Sequence, residues 1–291
     1  MANLKELRTR ISSVISTRQI TNAMKMVSAS RLRKAQDAII KIRPYANKLH
    51  EILTHLASSM DVKEGNIYAD QREINKVLLV VISSNRGLCG GFNSNIIKKA
   101  RNLAKDKYKE QLDKENLDFV IIGKKANDIL KKQFKITSKH NEIFDNLDFS
   151  NAANIAENLM NKFTDKEYDI IEIVYNRFKN AAVQILSVEQ FLPIEMEKND
   201  LETQEYDYIF EPSKEFIVKD LIPKSLKIQF YKALIDSYAA EHGARMTAMH
   251  KATDNATEII SDLKLEYNKA RQDAITKEIL EIVSGAEALK G

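Results

Sequence analysis

The stretch "SSNRGLCGGFN", residues 83–93, is where this sequence comes nearest to chemistry. It follows the apolar run "KVLLVVI" and precedes "SNIIKKARNLA", which has helical spacing. A glycine-rich turn between a strand and a helix is a common cradle for a nucleotide phosphate. A dinucleotide fingerprint needs G-x-G-x-x-G, so that the chain turns tightly and its backbone approaches the pyrophosphate, with an acid after the second strand for the ribose. Here the glycines are Gly87, Gly90 and Gly91, and the second candidate strand runs into Gly123 and Lys124. A Walker loop needs Gly-Lys followed by Ser or Thr, and Gly91 is followed by Phe92 and Asn93. Both patterns fail. The expected reading is a tight strand-to-helix turn with Asn93 or Ser94 capping the helix, and no bound nucleotide or cofactor.

Other reactive groups are sparse. His50 and His55 are five apart, not the four that puts two imidazoles on one helix face, and His250 with Asp254 lacks a third ligand nearby. Both pairs read as helix surface, so no metal site is expected. There is no G-x-S-x-G elbow, and the single cysteine, Cys89, has no base beside it in sequence, so covalent catalysis is unsupported. One thiol also rules out an internal disulfide framework and fits a reducing, cytoplasm-like compartment. Met24, Met26, Met246 and Met249 suit either core filling or an adaptable binding surface.

The elements that must position these residues follow from composition and period. Among 291 residues there are only 8 Gly and 4 Pro, a poverty of turn-makers that favours long helices. Leu4, Leu7, Ile11 and Val14, then Ala35, Ala38, Ile42, Tyr45, Leu49, Ile52 and Leu56, recur at steps of three and four, a heptad seam with Pro44 inside it as a kink or a break. Met249, Ala252, Ala256, Ile259, Leu263, Tyr267, Ala270 and Ala274 make a matching seam with a stutter at Leu263. Between them lie short β-branched runs at 76–82, 118–123, 170–178, 183–193 and 206–212. Amphipathic stretches near 94–110, 124–134 and 151–166 separate the first three, which implies a parallel sheet covered by helices. The last two runs have no helix between them and read as an antiparallel hairpin. The expected division is an N-terminal coiled-coil helix over 1–60, an α/β domain over 74–212 and a C-terminal coiled-coil helix over 213–288.

A domain inserted between two seamed helices makes them an antiparallel pair, with partner numbers adding to about 271 if Leu56 lies level with residue 215 or so. Residues beyond about 270 then lack a partner, yet Ile275, Ile279, Ile282, Val283 and Leu289 are apolar. A lone helix of that length is marginal in water, so a socket on another protein is expected. Residues 1–60 hold eleven Lys/Arg against three acids, a net +8, which suits an acidic partner or a solvated helix face. Nucleic acid is disfavoured because no aromatic residue interleaves with the cations before Tyr45. No apolar run approaches ~18 residues, so neither a transmembrane span nor a targeting segment is expected.

"TRQITNAMKMVSASRLRKAQ", the glycine loop, "ARMTAMHKATDNATEII" and "YNKARQDAITKEILEIVSGAEAL" together resemble the γ subunits of F-type ATP synthase, over the whole chain. The resemblance implies a long antiparallel coiled coil of terminal helices with an inserted Rossmann-like α/β domain, and a non-catalytic central rotor shaft. Its implied partners are the α and β subunits of the catalytic hexamer, the ε subunit and the membrane c-ring, at the cytoplasmic face of a bacterial membrane. It places Met24, Lys25, Met26 and Arg245 where γ meets acidic loops of β, and Arg271, Gln272, Thr276, Glu278, Ile282 and Val283 in the region that couples rotation to catalysis. The sequence departs from the family where Gln19 and Asn22 flank Ile20 and Thr21, positions at which related sequences often carry lysine; it also lacks the cysteine-bearing insertion of chloroplast members.

Overall fold

The computed structural model describes residues 4–58, 67–194 and 214–288. Two helices dominate it: α1 spans Leu4–Ser58 and α6 spans Lys214–Ala288. Pro44 sits inside α1 and Pro223 inside α6, so each proline removes one backbone donor without ending its helix. Two compact units divide the chain, residues 1–28 with 246–291 and residues 29–245.

In the first unit, α1 and α6 run antiparallel. Thr21 Oγ1 lies 2.9 Å from Thr253 Oγ1, and Arg8 Nε donates to the Tyr267 hydroxyl at 2.8 Å with its guanidinium carbon 5.4 Å from that ring's centroid. Partner numbers therefore add to 274 or 275, about one helical turn from the expected 271. Leu7, Met249, Ala256, Ile260 and Leu263 are buried between the helices, whereas Ile259, placed in the seam by its period, is 47% exposed. The four-four step thus stands at Ala256 and not at Leu263. Adjacent isoleucines at 259 and 260 make the two phases indistinguishable in sequence. From Ile275 to Ala288 every residue is exposed.

The second unit holds the sheet. Strands β1 (Val77–Ile82), β2 (Leu117–Ile122), β3 (Lys135–Lys139), β4 (Ile170–Phe178) and β5 (Gln184–Leu192) lie in the order β3-β2-β1-β4-β5. All neighbours are parallel except β4 and β5. Both faces are covered, which is why β1 and β2 bury all six residues and read as unbroken apolar runs. Helices α2 (Phe92–Asp106) and α4 (Lys124–Leu130) cover one face through Ile96, Ile97, Ala100 and Leu130. The short α3 (Lys109–Asp113) follows α2. On the other face, α5 (Phe149–Thr164) packs Ile155, Leu159 and Phe163, and α6 packs Leu226, Phe230 and Leu234. Each such side chain contributes roughly 1.5–3 kcal/mol on leaving water. Asp148 starts α5 by accepting from the Asn151 amide at 2.8 Å.

Three expectations change here. Strand 183–193 pairs antiparallel with β4; its expected partner, 206–212, lies outside the described residues. Strand β3, "KITSK", was missed because lysines at both ends and a single partly buried isoleucine give no apolar run, which is how an edge strand is protected. In α1 the seam takes Ile39 at 5% exposure and leaves Tyr45 at 55%, so Ile39 and Ala46 replace Ala38 and Tyr45 as seam residues.

Candidate functional site

The glycine loop folds by satisfying its own polar groups. After β1 the chain turns through Ser83 and Ser84, both buried. The Ser84 hydroxyl donates to Arg86 O at 2.6 Å and accepts from Asn93 Nδ2 at 2.7 Å, while Asn93 Oδ1 accepts from the Ser84 amide at 3.1 Å. Asn93 is thus spent on closing the loop and does not cap α2, whose N-cap is Gly91 and which begins at Phe92. Leu88 at φ 61° and Gly90 at φ 57° turn the chain through the left-handed region, leaving Leu88 63% exposed at the tip.

The neighbouring helix terminus is equally occupied. The amides of Lys124, Lys125 and Ala126, which open α4, donate to Asn85 Oδ1 at 3.0 Å, Ser84 O at 3.1 Å and Ser83 Oγ at 3.1 Å. Free amides at a helix N-terminus are the donors an anion takes, and these three are already used within the protein. Gly123 is required for this closure, because a Cβ there would lie 2.2 Å from Ser83 O, at φ 98°. The crevice between β1 and β4, where the winding of the sheet reverses, is where doubly wound sheets take ligands. Here it is bordered by a packed cluster of Cys89, Phe92 and Ala240 of α6, with Asn176 Nδ2 reaching Phe92 O at 3.4 Å. Cys89 is buried, and that burial pushes its thiol above its usual range, which disfavours the thiolate.

Arg245 ties α6 to the loop. Its side chain is 6% exposed and bonds Glu241 Oε1 at 2.6 Å, one turn earlier on the same helix. Nη2 donates to Arg86 O at 3.0 Å and Nε to Gly87 O at 3.3 Å. Nη1 also lies 3.4 Å from His242 Nδ1, which must accept, so the imidazole carries its proton on Nε2. His242 stacks edge-on with Tyr238 at 4.4 Å between centroids. Burial, then Arg245 and Arg31, hold His242 neutral, down at about 3. Burial raises the Glu241 carboxyl against the opposing guanidiniums of Arg245, Arg31 and Arg86. Gly243 brings α6 against the turn between β4 and β5, where a Cβ would meet Ala181 Cα at 3.2 Å.

The sequence-predicted contact residues fall into separate groups. Met24 and Lys25 are half-buried in α1 and Met26 is 63% exposed. Arg271, Gln272, Thr276, Glu278, Ile282 and Val283 are exposed on α6, with the Thr276 hydroxyl donating to Gln272 O at 2.9 Å. By the observed register Met24 is level with residue 250 or so, so about 30 Å of helix separates it from Arg271. Arg245 belongs to the second unit and faces inward. Its companions Glu241, His242 and Tyr238 were not singled out from sequence, although the four-residue step from Glu241 to Arg245 was a readable signal. His250 and Asp254 do pair, at 3.3 Å, on the exposed surface of α6.

Comparison with known proteins bears directly on these features. A sequence profile described as ATP synthase matches residues 3–289. The ATP synthase gamma chain of Christiangramia forsetii is 62% identical over 291 residues, the whole of both chains. The chain belongs to the ATP synthase gamma-chain family. The gamma chain of Flavobacterium johnsoniae, at 61% identity over the full length of both, places it in the same family. Among solved structures, the central stalk and c-ring assembly of Tetrahymena thermophila mitochondrial ATP synthase contains a chain similar to this gamma-chain sequence at 25% identity. That likeness has a TM-score of 0.61 and covers 80% of this chain and 99% of the other. A chain of the Euglena gracilis mitochondrial ATP synthase, solved with OSCP, F1 and c-ring, shares the fold at TM-score 0.69 and 21% identity over 98% of this gamma chain and 94% of its own. Among the described residues no helix is long and apolar enough to cross a membrane.

Proposed function

We propose that this chain is the rotating central shaft of an F-type ATP synthase, that it carries no catalytic group of its own, and that it couples ion flow through a membrane c-ring to catalysis in a hexamer of α and β subunits. It sits peripherally at the cytoplasmic face of a bacterial membrane, with the ε subunit as a further partner. The observation that carries this reading is the end of α6: Ile275, Ile279, Leu280, Ile282 and Val283 are 45–71% exposed on a helix with no described neighbour, and that apolar surface requires a sleeve. The residue groups divide accordingly. Met24, Lys25 and Met26 meet acidic loops of β, and Arg271, Gln272, Thr276, Glu278, Ile282 and Val283 run inside the hexamer. Arg245 serves the same contact indirectly, by holding the glycine loop.

An asymmetric shaft makes different contacts with each β subunit, so its angle sets which site is open, and turning it moves those populations in sequence. Mixing the purified chain with α and β subunits tests this. The expected result is a stable complex whose ATPase activity depends on the chain; failure to bind them contradicts the reading.

A further inference from the structure

Along the helix pair of the first unit the seam changes character. Leu7, Ile11 and Val14 of α1 lie level with Tyr267, Leu263 and Ile260 of α6, three layers in which apolar side chains interdigitate. The next inward-facing positions of α1 are Arg18, Thr21, Met24, Lys25 and Ser28, of which only the half-buried Met24 is apolar. Over this stretch the apolar packing comes from Met249 and the small Ala256 of α6 with Met24 of α1, fewer and smaller knobs than in the layers above, so packing holds the register less firmly here. There the two threonine hydroxyls meet at 2.9 Å, partly buried. Each oxygen is also within bonding distance of its own helix, Thr21 Oγ1 of Arg18 O at 3.0 Å and Thr253 Oγ1 of Met249 O at 2.8 Å. Two protons serve three possible bonds: one hydroxyl donates to its own backbone while the other bridges the helices, and the roles can exchange without losing the bridge.

We propose that Thr21 and Thr253 form a shear pin that fixes the axial register of α1 against α6 over the polar part of the seam. Twisting a two-stranded rope slides one strand past the other unless something resists. A lateral hydrogen bond in a seam with few apolar knobs supplies that resistance, and a single polar contact setting register is the best attested use of such groups. Under torque this stretch then turns as one body. That second statement rests on the shaft reading; the first does not.

The test compares wild type with the pairs Thr21→Val/Thr253→Val and Thr21→Ser/Thr253→Ser. Valine keeps shape and removes the hydroxyl; serine keeps the hydroxyl. In the full-length chain, amide hydrogen exchange over residues 18–28 and 246–256 is expected to quicken about five- to tenfold in the valine pair and to match wild type in the serine pair. Unchanged or slower exchange in the valine pair means that packing sets the register and overturns the pin. In the complex with α and β, the angular spread of a bead on the stalled shaft is expected to widen in the valine pair alone. Faster exchange with an unchanged spread overturns the torsional role. A wild-type chain that assembles with nothing refutes the shaft reading, while the exchange data still decide the pin.

Discussion

Replacing Arg245 with methionine tests how this residue acts. If Arg245 were a surface contact to a partner, Arg245→Met would leave the isolated chain intact. The structure predicts otherwise. The guanidinium and the Glu241 carboxylate are 6% and 9% exposed, and removing one partner of a buried pair costs about 3–5 kcal/mol because the other is left uncompensated. The carbonyls of Arg86 and Gly87 lose their donors as well. Neutralising the orphan in Glu241→Gln/Arg245→Met removes the stranded charge but not the loss at the loop, so a deficit of about 1–2 kcal/mol remains. The chain lacks tryptophan, so urea unfolding is followed by far-ultraviolet circular dichroism. The expected order of stability is wild type, then the double variant, then Arg245→Met. A loss below about 1 kcal/mol in the single variant, or a double variant no better than the single, refutes the strut and returns Arg245 to a direct partner contact.

His242 gives a pH signature. Its imidazole is held at about 3 in the folded chain and titrates near 6.5 when unfolded, so the unfolded chain binds more protons between those values. The stability contributed by keeping it neutral is complete above pH ~6.5 and is lost as pH falls, by about 2 kcal/mol at pH 5. His242→Asn keeps an acceptor for Arg245 and removes that slope; equal losses in wild type and variant between pH 8 and pH 5 contradict it. Gly123→Ala is expected to cost more than about 3 kcal/mol, since a Cβ there strikes Ser83 O, whereas Gly90→Ala has open space and costs about 1–2 kcal/mol for its positive φ. Thermal unfolding of the two variants distinguishes them, and equal shifts count against the close-approach account. Ala256→Lys puts a charge into the seam at a position 5% exposed, on the level of Arg18, and is expected to uncouple proton pumping from ATP hydrolysis in membrane vesicles. Normal pumping with normal assembly contradicts the role of that seam.

The parts of the fold legible in sequence were those with one strong period. Strands β1, β2 and β4 are buried runs of branched residues, and the two long helices announce themselves by heptads and by scarce Gly and Pro. Phase within a heptad was not legible where apolar residues are adjacent, as at Ala38 and Ile39 or Ile259 and Ile260, because either choice satisfies the spacing and only the partner's shape decides. β3 was invisible because an edge strand is protected by charge. The glycine loop was readable as a turn, but the destination of its side chains was not. Asn93 reads as a cap but closes the loop onto Ser84 nine residues back, and Arg245, which the resemblance puts at a contact with β, is buried because α6 returns to the loop from more than 150 residues away.

Coupling of ion flow to catalysis by this chain requires that it turn as a shaft. The direct measurement is a bead fixed to the chain, in complex with immobilised α and β subunits, watched by microscopy as ATP is added. Continuous rotation in one sense, stopping when ATP is withdrawn, is the predicted result. A bead that stays still while the complex hydrolyses ATP at its full rate contradicts it.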